Sequence, residues 1–78
     1  VLYRVLKESA GRIKAGEPMA AVLADGRARI EQAGFKLDYL EARHAETLAG
    51  VKGPADGPIR LLVAARLGKT RLIDNLGV

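Results

Sequence analysis

"IRLLVAARLGKTRLIDN", residues 59–75, decides the fold. Two readings compete for its middle. Gly68-Lys69-Thr70 is the tail of the phosphate-loop signature Gly-x-x-x-x-Gly-Lys-[Ser/Thr]. The same residues also read as the tight joint of a β-hairpin. The first reading fails twice. The position five before Gly68 is Val63, not Gly. The run after Thr70 is strand-like, with Leu72, Ile73 and Leu76, whereas a phosphate loop needs a helix whose free N–H groups meet the anion. The hairpin reading fits. Ile59, Leu61, Val63, Ala65 and Leu67 alternate to one side, the period of a strand. Leu62 and Ala64 point to the other, between Arg60 and Arg66. Gly68 and Lys69 then form a two-residue loop, and Gly at its first position is the mark of a type II′ turn. "TRLIDNLGV" returns as the next strand.

A strand apolar on both faces is central and covered twice. The segments before it show what is available as cover. "FKLDYLEARHA", from Phe35, alternates in its first half. Phe35, Leu37 and Tyr39 fall on one side and Lys36 and Asp38 on the other, so a strand with one buried face is expected. Thr47 and Leu48 begin a turn, and "GVKGPADGP" is a connector dense in Gly and Pro. Further upstream the period changes to that of a helix. Leu2, Val5, Leu6, Ala10 and Ile13 share one face, with Arg4, Lys7, Glu8, Arg12 and Lys14 around the rest. Gly16 stops this helix in the left-handed conformation, and Pro18 fits the first turn of the next. The second helix buries Met19, Val22, Leu23, Ile30 and Ala33. Gly26 lies on the same stripe, where it weakens the helix by about 1 kcal/mol relative to Ala but lets a neighbour approach closely. Gly34 ends it.

These elements give an α+β fold. A helical hairpin packs on one face of a three-stranded antiparallel sheet, a meander with its second strand central, as a single small domain over residues 1–78. One helical hairpin covers one face of such a sheet. The other face, including Leu62 and Ala64, is expected to meet another domain or a second copy of the chain.

Composition narrows the function. The 78 residues suit one domain, and one this small buries only roughly 60% of its unfolded surface. With no Cys there is neither a disulfide staple nor a thiolate metal site, and a single His leaves zinc few ligands. No apolar run reaches the roughly 20 residues of a membrane span, and no signal peptide opens the chain; the absence of Cys fits a reducing cytosol, so a cytoplasmic setting is expected. Thirteen Lys and Arg against nine Asp and Glu leave a net charge of +4, which favours anionic partners. Two Tyr, one Phe and no Trp are too few for a single-strand stacking platform.

Few residues offer chemistry. His44, near Glu41, Arg43 and Glu46, reads as an exposed strand-end histidine rather than a general acid or base. Asp74 and Asn75 are too few for a metal, and Asp74 is expected opposite an Arg across the hairpin. Arg60, Arg66, Lys69 and Arg71 gather around the hairpin. They form either a charge-guarded sheet edge or a basic patch for phosphate, RNA or a carboxylate. No Ser-His-Asp set, paired-carboxylate motif or glycine-rich cradle is present. No catalytic, cofactor-binding or metal-ligating residue is therefore assigned.

The two halves of the sheet do carry a family pattern. "LDYLEARHAETL", residues 37–48, followed by "RLLVAARLGKTRLIDN", residues 60–75, closely resembles the end of the pantothenate synthetases (pantoate–β-alanine ligases). Asp38-Tyr39, Ala45-Glu46-Thr47-Leu48 and residues 70–75 match the pattern, while His44 stands where the family usually has Asp. The resemblance implies an enzyme, similar to nucleotidylyltransferases, that joins pantoate to β-alanine with ATP and Mg²⁺ through a pantoyl adenylate. The family's His-x-Gly-His and Lys-Met-Ser-Ser-like motifs lie in a large Rossmann-like N-terminal domain, and neither is in this chain. The resemblance thus implies a C-terminal lid domain, inactive alone and binding no cofactor itself, whose partner is that N-terminal domain. A homodimer through the uncovered sheet face is a further expectation. From the residues alone, the alternative is a stand-alone basic module that binds RNA or another polyanion.

Overall fold

A computed structural model describes residues 1–47, 50 and 58–78 of the chain. Helix α1 spans Leu2–Lys14 and α2 spans Met19–Gln32; strands β1, β2 and β3 span Lys36–His44, Ile59–Leu67 and Thr70–Gly77. The strands form one antiparallel sheet in the order β1-β2-β3, with β2 central. Both helices lie on one face of the sheet. α1 packs on β2 and β3, and α2 on β1. The α+β architecture expected from the sequence is the one observed.

The helical hairpin follows from its glycines. Gly16 and Gly34 sit at φ +92° and +95°. Each closes its helix with the same pair of reverse bonds. Gly16 N–H donates to the Ile13 carbonyl and Glu17 N–H to Arg12; Gly34 N–H donates to Glu31 and Phe35 N–H to Ile30. This is the Schellman arrangement, which only a residue at ease with positive φ completes without strain. Pro18 falls one position earlier than expected. It is the N-cap of α2, at φ −58° and ψ 123°, not its first helical residue. The extended ψ is what places the chain at the helix entrance, and the Pro18 carbonyl takes the first bond, from Val22 N–H. Arg12 braces the joint from outside. It donates to Glu17 Oε1 at 3.0 Å and to Asp25 Oδ2 at 2.7 Å, and those bonds raise its pKa further above an already high value. Arg29 and Glu8 form a second link between the helices at 2.5 Å. Exposed pairs of this kind fix the angle more than the stability.

The core lies between the helices and the covered face. Leu2, Val5, Leu6, Ala10 and Ile13 of α1 and Met19, Val22, Leu23 and Ile30 of α2 are buried, all as their spacing predicts. Ala33 is exposed, contrary to expectation, because it is the C-cap where the chain turns away. Ser9, placed with neither face in the sequence, is buried. Gly26 has the role read for it. A Cβ there would stand 2.8 Å from Leu40 Cδ2 and 3.3 Å from Val5 Cγ1. The missing side chain is what lets α2, α1 and β1 meet.

β1 departs from simple alternation. Leu37 pairs with Ala65 and Tyr39 with Ala64, so Asp38 is an extra residue, a β-bulge. The bulge shifts the period by one. Leu37 and Leu40 both face the helices, and Tyr39 turns to the opposite side, away from Phe35 and Leu37 with which simple alternation groups it. Leu40 is then fully buried against Gly26. The hairpin forms as read, with Gly68 at φ +61° between Leu67 and Thr70, the positive φ that a primed turn demands there. Of the expected connector, Thr47 lies in the turn after β1 and Gly50 bridges to Arg43, while Leu48, Ala49 and residues 51–57 lie outside the described residues. No helix among the described residues is long and apolar enough to cross a membrane.

Candidate functional site: the uncovered sheet face

The side of the sheet away from the helices is built by four rows of residues that the strand register sets side by side. Arg43 pairs with Arg60 and Arg60 with Gly77. The next row is Glu41, Leu62 and Asn75, and the third is Tyr39, Ala64 and Ile73. Lys36, Arg66 and Arg71 form the last, with the bulged Asp38 beside them. The result is an apolar centre between two basic ends.

The centre is uneven. Ala64 is fully buried although no helix covers it, Leu62 is half-buried, and Ile73 is 62% exposed. Ala64 carries only a methyl group, set in register between Tyr39 and Ile73. Leu62 and Ile73 keep part of their surface open, so the uncovered face expected from the sequence is present. Other exposed apolar residues adjoin it. Val1, Tyr3, Leu72 and Ile73 line a cleft of about 260 Å³ between the start of α1 and β3. All four are among the large hydrophobic side chains left exposed.

The basic residues divide between the ends rather than forming the single cluster read around the hairpin. Arg60 lies at the far end of β2 from the turn, where its Nη1 donates to Asn75 Oδ1 at 2.6 Å. Arg43 is held by Glu41 through Nε at 2.8 Å and through a shorter contact from Nη2. At the hairpin end, Arg71 Nε donates to Asp38 Oδ2 at 3.0 Å, and Arg66 Nε stands 3.8 Å from the same oxygen. Asp38 and Arg71 lie on opposite edge strands, so this contact reaches across β2. Lys69 is exposed in the turn.

The remaining candidates are structural. His44 is half-buried at the end of β1. Its Nδ1 accepts the backbone N–H of Glu46 at 3.2 Å and of Thr47 at 3.4 Å. It caps the turn as an Asp carboxylate does in an Asx turn. Asp74 does not face an Arg. It pairs in register with Val63, and its Oδ1 takes the Asn75 N–H at 2.8 Å. Its short side chain finds a neighbouring backbone donor before any distant cation. Gly68-Lys69-Thr70 is committed to the hairpin ladder, as read. Among the described residues no three metal-ligating side chains gather, and every buried side-chain polar atom has a partner. At the free edge of β1, Arg27 Nη2 donates to the Leu40 carbonyl at 2.8 Å and Gly50 bridges to Arg43. Sequence reasoning missed this edge protection, as it missed the Asp38 contact. Both depend on residues far apart in the chain.

Comparison with known proteins agrees with the fold and the motifs. The profile of the pantoate–β-alanine ligase family matches residues 1–77. A pantothenate synthetase of Rhodopseudomonas palustris is 68% identical over 77 residues, and one of Nitrobacter winogradskyi is 64% identical; each match covers 99% of this chain and 27% of the relative. A crystal structure of the pantothenate synthetase of Thermus thermophilus superposes with a TM-score of 0.83 at 34% identity, over 96% of this chain and 27% of that one. The chain thus spans about a quarter of the length of these relatives. A helical hairpin on a β1-β2-β3 meander, a matching solved fold and high identity along nearly every residue together make this chain a member of the pantoate–β-alanine ligase family.

Proposed function

We propose that the chain is the C-terminal lid domain of a pantoate–β-alanine ligase of the cytoplasm. The uncovered sheet face docks on the remainder of the enzyme, which binds ATP, Mg²⁺ and pantoate. One observation carries this reading. In a chain that aligns with only 27% of its relatives, the side of the sheet free of helices has an apolar centre with charged ends. That is the anatomy of an interface, with an apolar core and a polar rim. The enzyme joins pantoate to β-alanine with ATP through a pantoyl adenylate. An acyl adenylate is destroyed by water, so closing a domain over it protects it and completes the site. The chain's own contribution is the surface that closes. None of its side chains is assigned to the reacting atoms.

Two experiments test this. The 78-residue chain, given pantoate, β-alanine and ATP with Mg²⁺, is expected to form no pantothenate; clear turnover overturns the reading as a fragment. In the whole enzyme, Ile73→Asp puts a charge in the docking face. The expected result is AMP released in excess of pantothenate made, because the loosened lid admits water to the intermediate. A product ratio of one at an unchanged rate means that this face covers nothing. On its own, the chain has the same apolar surface free to pair with a second copy, which light scattering across a concentration series detects.

A further inference from the structure

We propose that Arg71, hydrogen-bonded to Asp38, and Arg66, in ion-pair range of the same carboxylate, form an anion site for a multiply charged oxyanion of the diphosphate class. The site lies at the hairpin end of the face that the lid reading docks, and it is argued and tested on residues of this chain alone. Three features carry it. First, both guanidiniums turn the Nε edge to one carboxylate oxygen, Asp38 Oδ2, at 3.0 and 3.8 Å. The four Nη–H donors of each arginine have no hydrogen-bond partner among the described residues. The bond to Asp38 fixes the planar fork of Arg71, and Arg66 stands beside it within ion-pair range; both have their outer edges free, which is how guanidinium receives phosphate oxygens in pairs.

Second, the charge is in surplus. Lys36, Arg66 and Arg71 stand directly opposite one another across three strands, and Lys69 occupies the adjoining turn. These four cations face the single carboxylate of Asp38, leaving +3. Like charges opposite one another in a sheet repel, so the row costs stability that one Asp only partly offsets. A ligand with two or more negative charges relieves that repulsion, whereas a single carboxylate would not.

Third, the site is open. The Asp38 side chain is 29% exposed, Arg71 46% and Arg66 56%. The carboxylate is thus the inner anchor, and the arginine ends meet solvent.

Inorganic pyrophosphate, titrated into the 78-residue chain while backbone amide shifts are followed, tests the proposal. Saturable shifts confined to residues 36–38 and 66–71 are expected. Arg71→Gln should weaken binding about tenfold or more, the worth of a lost charge-assisted bond. Lys7→Gln, the same charge loss on the solvent side of α1, should change it by less than about twofold. Equal losses from the two would reduce the effect to overall charge and overturn the site. Asp38→Ala separates orientation from charge. It adds one positive charge yet frees Arg71 and removes the anion beside Arg66, and the proposal expects binding about threefold weaker or worse. Tighter binding would sink the clamp, as would the absence of saturable shifts. ATP should match pyrophosphate and AMP should bind far more weakly. AMP binding as well as pyrophosphate would remove the diphosphate assignment.

Discussion

Leu61 and Leu62 are neighbours in β2 and identical in composition, yet they live on different faces. Leu61 is fully buried against the helices, opposite Ala42 and Leu76. Leu62 is half-buried between Glu41 and Asn75, with no helix above it. The covered face is a finished core, in which every large side chain of the helical stripes has a place. The other face has its apolar centre unroofed and its charges gathered at the ends. A sheet alternates with period two, so one strand presents both environments at adjacent positions. The difference separates the residues that fold this chain from those that its helices leave uncovered.

The covered face should give the largest effect. Leu61→Ala removes a fully buried side chain from the middle of the central strand, among core residues that are themselves buried. A loss of about 2–5 kcal/mol is expected from urea unfolding followed by circular dichroism. A domain of this length has roughly 4–12 kcal/mol in total, so the variant sits near the edge of unfolding. A loss below about 1 kcal/mol would break the distinction between the faces at its strongest point.

Gly26→Val should come next, and it probes the same face from the helix side. Two effects oppose each other. Replacing Gly favours the helix by about 0.5 kcal/mol or somewhat less, since a β-branched residue recovers only part of the Ala advantage. The new Cβ, however, would lie 2.8 Å from Leu40 Cδ2 and 3.3 Å from Val5 Cγ1. Leu40 and Val5 are themselves buried, so neither can retreat without disturbing the core. Overpacking of this sort costs about 1–3 kcal/mol and wins. A melting temperature at or above that of the unchanged chain would mean that α2 can lift from β1, and that the core is looser than its burial implies.

How much of this was legible in the sequence depends on distance along the chain. The helical stripe of Leu2, Val5, Leu6, Ala10 and Ile13, the stops at Gly16 and Gly34 and the turn at Gly68 are local patterns, and each is where its spacing puts it. The bulge at Asp38 was not legible. An extra residue leaves no mark in composition, and Tyr39 looks like the natural continuation of Phe35 and Leu37 until Leu40 is seen to take the core position. The partners of Asp38 were equally hidden, because Arg71 lies 33 residues away and the contact crosses an intervening strand. The charges of the hairpin could be counted in advance, but not sorted. Only the register separates Arg60 from Arg66 and Arg71. The uncovered face was legible for a different reason. It follows from a shortage, two helices for a sheet whose central strand is apolar on both sides, and a shortage can be read without knowing any contact.

The smallest effect tests that shortage most directly. Leu62→Ala removes the same atoms as Leu61→Ala, one position along. In a monomer it should cost no more than about 1 kcal/mol, since the side chain is only half withdrawn from water and its loss leaves no cavity. The gap between the neighbouring substitutions is then the energetic difference between the faces. A large cost at Leu62 has one physical route, namely that something covers the face in solution, and the partner at hand is a second copy of the chain. The cost must then depend on protein concentration, because an associated state gains stability by mass action. Unfolding of the parent chain and of Leu62→Ala at two concentrations about a hundredfold apart resolves the matter. Curves that coincide at both concentrations leave the face uncovered, as the lid reading requires of the isolated chain. Curves that shift with dilution, more for the parent than for the variant, mean that isolated chains roof one another with the surface the lid reading reserves for the larger domain.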